Sequence, residues 1–284
     1  MSAAAWPAPA KLNLFLHVVG RRPDGYHELQ TLFQLVDLTD ELRVDVRPDG
    51  EIRRIGGPAG VPPEQDLAVR AARLLKRTSG SPLGADLTLV KRIPLGGGLG
   101  GGSSDAATTL AALNVLWRIG ASADDLARLG LSLGADVPVF LFGHSAWAEG
   151  VGERLTAVDL PPRWYAIVRP PVAVGTAEVF QAPELTRNSP RTTIGGFLEA
   201  GGRNDCEPVV AARYPEVRKA LERLGRFGPA RLTGTGSCVF AAFGRAAEAE
   251  EAIAGLPAGW RGFAVRGLAR SPLLERLEAG RAGR

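Results

Sequence analysis

The chain has 284 residues, 45% of them hydrophobic and 23% charged, with a formal net charge of +4. That balance belongs to a folded protein with a sizeable core, in one large domain or two moderate ones, and excludes a fibrous or disordered chain. No uncharged run approaches the ~18 residues of a membrane span, and no block of like charges or basic–aromatic stripe marks a nucleic-acid surface.

The opening stretch, "MSAAAWPAPAKLN", has neither the basic start nor the apolar length of a signal peptide. Cys206 and Cys238 make no disulfide framework and no metal-ligand spacing, so free thiols in a reducing compartment, the cytoplasm, are expected. "KLNLFLHVV" alternates from Lys11 and predicts a strand. "GRRPDG" is turn chemistry, with Pro23 fixing its backbone angle and Asp24-Gly25 permitting reversal. "ELQTLFQLVDL" and "ELRVDVRPDG" predict a second and a third strand. "DLAVRAARLLKRTSG" predicts a helix that stops at Gly80, and "ADLTLVKRIP" a strand that delivers the chain to a run of glycines.

After the glycines, a helix is predicted from Ser103 to Trp117, with Ala106, Leu110, Leu113 and Trp117 as its apolar stripe. Asp105 falls in its first turn, where a carboxylate suits the helix dipole. "SADDLARLGLSLG" predicts a short helix capped by Ser122, with Asp125 three residues on. "ADVPVFLFGHSAWAEG" predicts short strands, and the proline pair in "DLPPRW" a domain boundary. Beyond it, "RWYAIVRP" and "ARLTGTGSCVFAAFG" read as strands, "PVVAARYPEVRKALERLG" and "AAEAEEAIAGL" as helices. Antiparallel strand pairs with segregated helices predict an α+β fold in two lobes, residues 1–160 and 161–284.

The glycine run is the most informative stretch. Six glycines in seven positions are costly to order. Gly96, Gly98 and Gly101 satisfy the dinucleotide pattern G-x-G-x-x-G, but a glycine run satisfies almost any glycine pattern. The helix after it leads to a turn and a second helix, where a dinucleotide fold needs a strand ending in an acidic residue ~20 positions past the glycines. A phosphate cradle fits better: bare N–H groups from Gly100 to Ser104, with the hydroxyls of Ser103 and Ser104, can curve around phosphate oxygens at a helix N-terminus. No Walker loop and no H-R-D or D-F-G stretch is present. A second signal is compositional: only four of the 34 basic side chains are lysine, namely Lys11, Lys76, Lys91 and Lys219. A position that keeps lysine in so arginine-rich a chain points to a need for a compact ammonium.

"PLGGGLGGGSSDAA" resembles the second signature of the kinases grouped with galactokinase, homoserine kinase, mevalonate kinase and phosphomevalonate kinase. "PAPAKLNLFLHVVGRRPDGYHELQT" is similar to their first motif, in a form that goes with a cytidyl diphosphate substrate. "LTGTGSCVFAAF" is similar to their third, with Gly234, Thr235, Gly236 and Ser237 as a glycine turn against the nucleotide site. With "LGADVPVFLFGHSAWAEGVGE" between them, the likeness runs in order from Pro9 to about Leu273. It implies a two-lobed α+β small-molecule kinase whose N-terminal lobe is like the second domain of a small-subunit ribosomal protein. It further implies ATP as phosphoryl donor, Mg2+ arriving with the ATP, an alcohol as acceptor and no assigned protein metal site.

The same resemblance distributes roles. Pro94, Leu95, Gly96, Gly97, Gly98, Leu99, Gly100, Gly101, Gly102, Ser103 and Ser104 would hold ATP, with Asp66 and Lys91 at the adenine. Asp66 stands where these kinases often have asparagine, and an ionised aspartate can only accept a hydrogen bond. Asp136 would be the catalytic base and Lys11 its partner: a carboxylate can take the proton of a poorly nucleophilic hydroxyl, and an ammonium beside it offsets charge on the transferring oxygens. Read alone, Lys11 is a solvated strand-edge lysine and Asp136 a turn residue. Asn13, Tyr26, His27, Thr176 and Phe180 would contact substrate, Tyr26 and Phe180 sandwiching a cytosine ring whose edge His27 reads. Read alone, Phe180 is core packing and His27 a turn histidine. Rival readings are a homoserine- or mevalonate-type kinase, a catalytically dead ATP sensor and a nucleic-acid binder.

Overall fold

The computed structural model describes residues 5–23 and 25–282; Asp24, half of the predicted turn dipeptide, lies outside them. Two long antiparallel strands, β1 (Trp6–Arg21) and β2 (His27–Arg47), form the spine. β1 starts five residues before the predicted Lys11, because "WPAPA" also pairs with β2. Pro7 and Pro9 are tolerated there since β1 pairs with β2 alone among the named strands, which leaves its other edge without ladder bonds to lose.

β2 replaces the predicted second and third strands. The polar residues between them do not turn the chain; the register shifts between Pro9 and Ala10 of β1 and passes over Asp37 and Leu38, so the strand bends at a bulge and continues. Along its length β2 pairs in turn with β5 (Ala146–Gly150), β10 (Arg261–Leu268) and β4 (Gly84–Val90). β4 lies parallel to β3 (Ile52–Gly56), with helix α1 (Leu67–Ser79) crossing between them. Asp66 caps α1 by accepting the N–H of Ala68 at 2.9 Å, and Gly80 ends it in the left-handed conformation.

α2 (Gly101–Leu116) begins two residues before the predicted Ser103, so Gly101 and Gly102 are helical and Asp105 sits one turn inside. Its predicted stripe is buried, but so is every residue from Ser104 to Leu113. Flanked by β1, β2, α1, α4 (Val137–Phe142) and α3 (Ala123–Leu133), this helix has no solvent face along that run, and a one-sided pattern cannot describe it. Ser122 and Asp125 form the predicted capping box on α3. The strand predicted through "VPVFLF" is instead α4, with Pro138 in its first turn, where a missing N–H costs nothing.

The chain continues through β6 (Arg154–Ala157), β7 (Trp164–Arg169), α5 (Thr176–Gln181), α6 (Ile194–Ala200), α7 (Glu207–Arg213) and α8 (Pro215–Leu224). The helix predicted over "PVVAARYPEVRKALERLG" breaks at Tyr214, held extended by the proline that follows it. The single strand expected over "ARLTGTGSCVFAAFG" is two, β8 (Arg231–Leu232) and β9 (Val239–Phe243), with the "TGTGS" turn between them. α9 (Ala246–Ile253), β10 and α10 (Pro272–Ala282) close the chain. β3, β6, β10, α5, α6 and α10 carry too short or too mixed a pattern to be predicted.

The main path of the sheet runs β3-β4-β2-β10-β7-β9-β8. One core gathers residues between Trp6 and Ala148 together with Leu273; a second is built around β7, β9, α7 and α8 with Leu16 and Val18 of β1. These are the two lobes, and they share one sheet because β10 pairs with β2 at Gly267 and Leu268 and with β7 from Arg261 to Arg266. Both cysteines are buried free thiols, and burial pushes each up to about 12. No helix among the described residues is long and apolar enough to cross a membrane.

Candidate active site

The stretch before the glycines is tied down first. Asp40 of β2 accepts the N–H groups of Arg92 at 2.5 Å and Ile93 at 2.8 Å, and takes the ammonium of Lys91 on its other oxygen. Gly96, Gly98 and Gly100 then adopt φ of 65°, 76° and 72°, the left-handed region that side chains disfavour. Close approach is the second requirement. A Cβ on Gly98 would stand 2.2 Å from the carbonyl oxygen of Thr233, and one on Gly100 2.8 Å from the ring of Phe140. The third glycine motif is thus laid directly on the second: Ser237 donates its N–H to Gly96 O at 3.3 Å and Cys238 to Gly97 O at 3.2 Å. Gly234, Thr235 and Gly236 turn between them.

Pro94 and Leu99 are buried under this loop while Leu95 is exposed. Gly100 caps α2 with no side-chain acceptor, so the first N–H groups of the helix, from Gly101 to Ser103, have no partner inside it. These N–H groups are the donors that the phosphate cradle expected from the sequence would need, and the glycines beside them also serve loop-on-loop packing.

Lys11 is not a solvated strand-edge residue: its side chain is 3% exposed. Its ammonium donates to Asn13 Oδ1 at 2.5 Å and to Gly98 O at 3.1 Å, and stands 3.2 Å from a carboxylate oxygen of Asp136. A compact three-donor head suits this tripod, and a planar guanidinium would not. Asn13 is fixed in turn by Thr31 Oγ1, to which its Nδ2 donates at 2.9 Å, and by Thr233 Oγ1, which takes its N–H at 2.9 Å. Asp136 immediately precedes α4 and makes no capping bond, so its carboxylate faces Lys11 rather than its own helix. A cavity of about 280 Å³ holds this pair together with Asn13, Gly98, Ser103, Thr176, Phe180, Gly234 and Thr235.

That cavity adjoins a larger cleft of about 700 Å³, with Leu29, Ala135, Val151, Thr176 and Phe180 lining both. Tyr26, His27, Arg21 and Arg187 line its far end. Tyr26 is largely exposed, and the ring facing Phe180 is that of His27, stacked at 5.2 Å between centroids and 27° between planes. Burial, then the charges of Arg187 and Arg21, lower the pKa of His27 below its ordinary value. Thr176 Oγ1 lies 3.0 Å from Thr235 Oγ1, joining the first turn of α5 to the third motif. Thr31, Thr233 and Arg187 are site residues that sequence reasoning missed, and Arg187 carries no mark among so many arginines.

Asp66 and Lys91 line neither cavity. Both lie at the other flank of the loop, near the start of α2: a Cβ on Gly102 would meet Leu67, the residue after Asp66, at 3.5 Å. Asp66 also pairs with Arg54 at 2.9 Å, which accounts for a carboxylate there. Lys91 bridges Asp40 and Asp105, all three nearly enclosed. Burial works against the ammonium, but the two carboxylates outweigh it and its pKa is raised. Burial pushes Asp105 up to about 7, with Lys91 acting in the opposite direction. Asp105 is therefore a partner of Lys91, not a first-turn carboxylate facing the dipole.

The sign of the pH effect follows. An acid whose folded pKa is raised adds stability at acid pH that is lost as pH rises from its unfolded value of about 4 to about 7. Asp105→Asn removes this contribution. Plotted against pH from 4.5 to 7.5, the melting temperature of the variant should fall less steeply than that of the native chain; parallel curves refute it.

A glycine loop with N–H groups left open at a helix start, a buried ammonium and a facing carboxylate are the parts that a phosphoryl-transferring small-molecule kinase requires. Residues 66–144 match the GHMP kinases N terminal domain and residues 184–262 the GHMP kinases C terminal. The chain is 62% identical over 272 residues to a 4-diphosphocytidyl-2-C-methyl-D-erythritol kinase of Alkalilimnicola ehrlichii, covering 96% of this chain and 94% of that protein. A crystal structure of a 4-(cytidine 5'-diphospho)-2C-methyl-D-erythritol kinase superposes with a TM-score of 0.81 at 37% identity, over 93% of this chain and 99% of that one. The mevalonate kinase of Methanococcus jannaschii shares the fold at a TM-score of 0.66 and 17% identity, over 94% and 99% of the two chains. The chain belongs to the GHMP kinases and, within them, to the 4-diphosphocytidyl-2-C-methyl-D-erythritol kinases.

Proposed function

We infer that the chain transfers the γ-phosphoryl group of ATP to the 2-hydroxyl of 4-diphosphocytidyl-2-C-methyl-D-erythritol, giving the 2-phosphate and ADP on the non-mevalonate route to isoprenoid precursors. The observation that carries this is the adjacency of two cavities: the one that holds the Lys11–Asp136 pair shares five lining residues, Phe180 among them, with the one that holds His27 and Tyr26. A small acceptor such as homoserine or mevalonate would leave the second without a ring to hold.

In this reading the triphosphate lies along residues 94–104, against the N–H groups at the start of α2 and under the third motif. Asp66 and Lys91 flank the adenine. Asp136 accepts the hydroxyl proton as the oxygen attacks the γ-phosphorus and the bond to the ADP oxygen breaks. Lys11, held by Asn13 and Gly98 O, orients Asp136 and offsets charge on the transferring oxygens. Residues 1–160 form the nucleotide and catalytic lobe, and residues 161–284 add Thr176, Phe180 and the third motif.

Among the described residues no three His, Cys, Asp or Glu side chains gather to hold a metal, while Ser104 Oγ is buried beside the loop with no hydrogen-bond partner in the molecule. A magnesium ion would therefore come in on the phosphates and neutralise their charge; the unpartnered Ser104 hydroxyl is a candidate ligand for it, enclosed at the start of α2 and lining neither cavity. The reaction belongs in the cytoplasm, where ATP is supplied.

Turnover with ATP and the cytidyl substrate, homoserine and mevalonate, measured side by side, tests the reading. Only the cytidyl substrate should react; comparable kcat/KM on either of the others overturns it. Phe180→Ala removes a stacking face worth about 1–3 kcal/mol. It should raise KM for the cytidyl substrate roughly 5- to 150-fold while KM for ATP stays within twofold.

A further inference from the structure

We propose that Arg187 is the positioning residue of the aromatic end of the cleft: by gripping His27 and the end of α5 at once, it fixes how both rings meet the cytidine portion of the substrate. The proposal rests on the cytidyl reading of the cleft given above.

Arg187 lies on the chain after α5 and is half-buried in the wall of the larger cleft. Its Nε donates to Nε2 of His27 at 3.1 Å. Nη1 donates to Leu185 O at 3.0 Å, and Nη2 donates to Phe180 O at 2.9 Å and Ala182 O at 2.7 Å. Two of these carbonyls belong to the end of α5, where the last helical oxygens have no partner in the helix. One planar guanidinium thus closes the helix that carries Phe180 and reaches across the cleft to the ring stacked on it. A lysine, with a single nitrogen, cannot span these four acceptors.

The bond to His27 also selects a tautomer. Arginine can only donate, so Nε2 must be the bare nitrogen and the proton of the neutral ring sits on Nδ1. The charged groups facing the ring are Arg187 and Arg21, the latter across the strand pair from His27 on β1. From α5 it is Phe180 that stacks on the ring, while Glu178 is engaged with Arg213 and Tyr214. Both guanidinium charges oppose protonation, and burial does so first, so the neutral ring persists at a pH where an ordinary histidine would share its charge. A cationic His27 would lose the bond from Arg187 and with it the alignment of the two rings.

The test compares Arg187→Met and Arg187→Lys with the native chain. In Arg187→Met, KM for the cytidyl substrate should rise about tenfold or more, with kcat and KM for ATP within twofold. Its low-pH limb of kcat/KM should move to higher pH, because one charge opposing protonation of His27 is gone. Arg187→Lys should restore the pH limb but not KM. A variant that melts cooperatively and keeps the native cytidyl KM overturns the proposal, as does a uniform fall in kcat and both KM terms with no pH change. If Arg187→Met does not fold, the native chain decides alone: nitrogen NMR of its histidines should show His27 protonated on Nδ1 at pH 8, and a proton on Nε2 refutes the assignment. Should the native chain fail to phosphorylate the cytidyl substrate, the functional reading falls, and the tautomer measurement still judges the Arg187–His27 contact.

Discussion

Asp136→Asn should lower kcat by roughly 100- to 10,000-fold, the range for losing a positioned general base, while the protein still folds. Asparagine keeps the shape of the side chain and can still lie against the Lys11 ammonium, but it cannot take a proton from the attacking hydroxyl. Folding should survive because Asp136 is 35% exposed and caps no helix. Lys11 keeps its two other acceptors, Asn13 Oδ1 and Gly98 O. KM for both substrates should stay within a few-fold, since neither ring nor phosphate is gripped by this carboxylate. A steady-state assay beside a melting curve checks it; a kcat within threefold of native would remove Asp136 from the chemistry.

Gly98→Ala should be the most damaging change in the loop. The added methyl would lie 2.2 Å from the Thr233 carbonyl oxygen and 3.2 Å from the Gly236 nitrogen, both backbone, so no side chain can swing aside. The second and third motifs must part, carrying Gly98 O away from Lys11. A displacement of about 1 Å at a reacting centre costs on the order of 100-fold in rate, and kcat/KM for ATP should fall by at least that much. Gly96→Ala is the internal control. Its φ of 65° exacts the same left-handed penalty, about 1–2 kcal/mol, but no atom lies within 4 Å of the new Cβ. If the two variants lose activity equally, the glycines matter for backbone freedom alone and not for the contact between motifs.

The difference between these two glycines shows what sequence could and could not carry. The run announces a turn of unusual backbone next to a helix start, and that reading holds from Gly96 to Gly102. It cannot say that "TGTGS", more than a hundred residues later, is the surface on which the run packs, because close approach of two backbones leaves no periodic trace. Lysine usage behaves similarly. Lys11 and Lys91 are ammonium hubs as the arginine-rich composition hinted, but so is Lys76, which donates to the carbonyls of Ser81, Pro82 and Leu83 beyond α1. Composition therefore picks out a geometry, not a reaction. The departures in the fold are local in origin: the buried carboxylate of Asp40 interrupts the apolar alternation of β2, and the six residues of α4 are too few and too uniformly apolar to show a helical period. The site residues drawn from the motifs came from resemblance, and only the coordinates bring Thr31, Thr233 and Arg187 to them.

β10 binds both lobes into one sheet, and it follows β2 by more than two hundred residues. Until it emerges, the middle of β2 waits with open hydrogen-bonding groups and β7 lacks its neighbour. Closure of the sheet therefore waits on a contact distant in sequence, and a chain made only as far as β9 depends on its surroundings to keep that edge from pairing with a stranger.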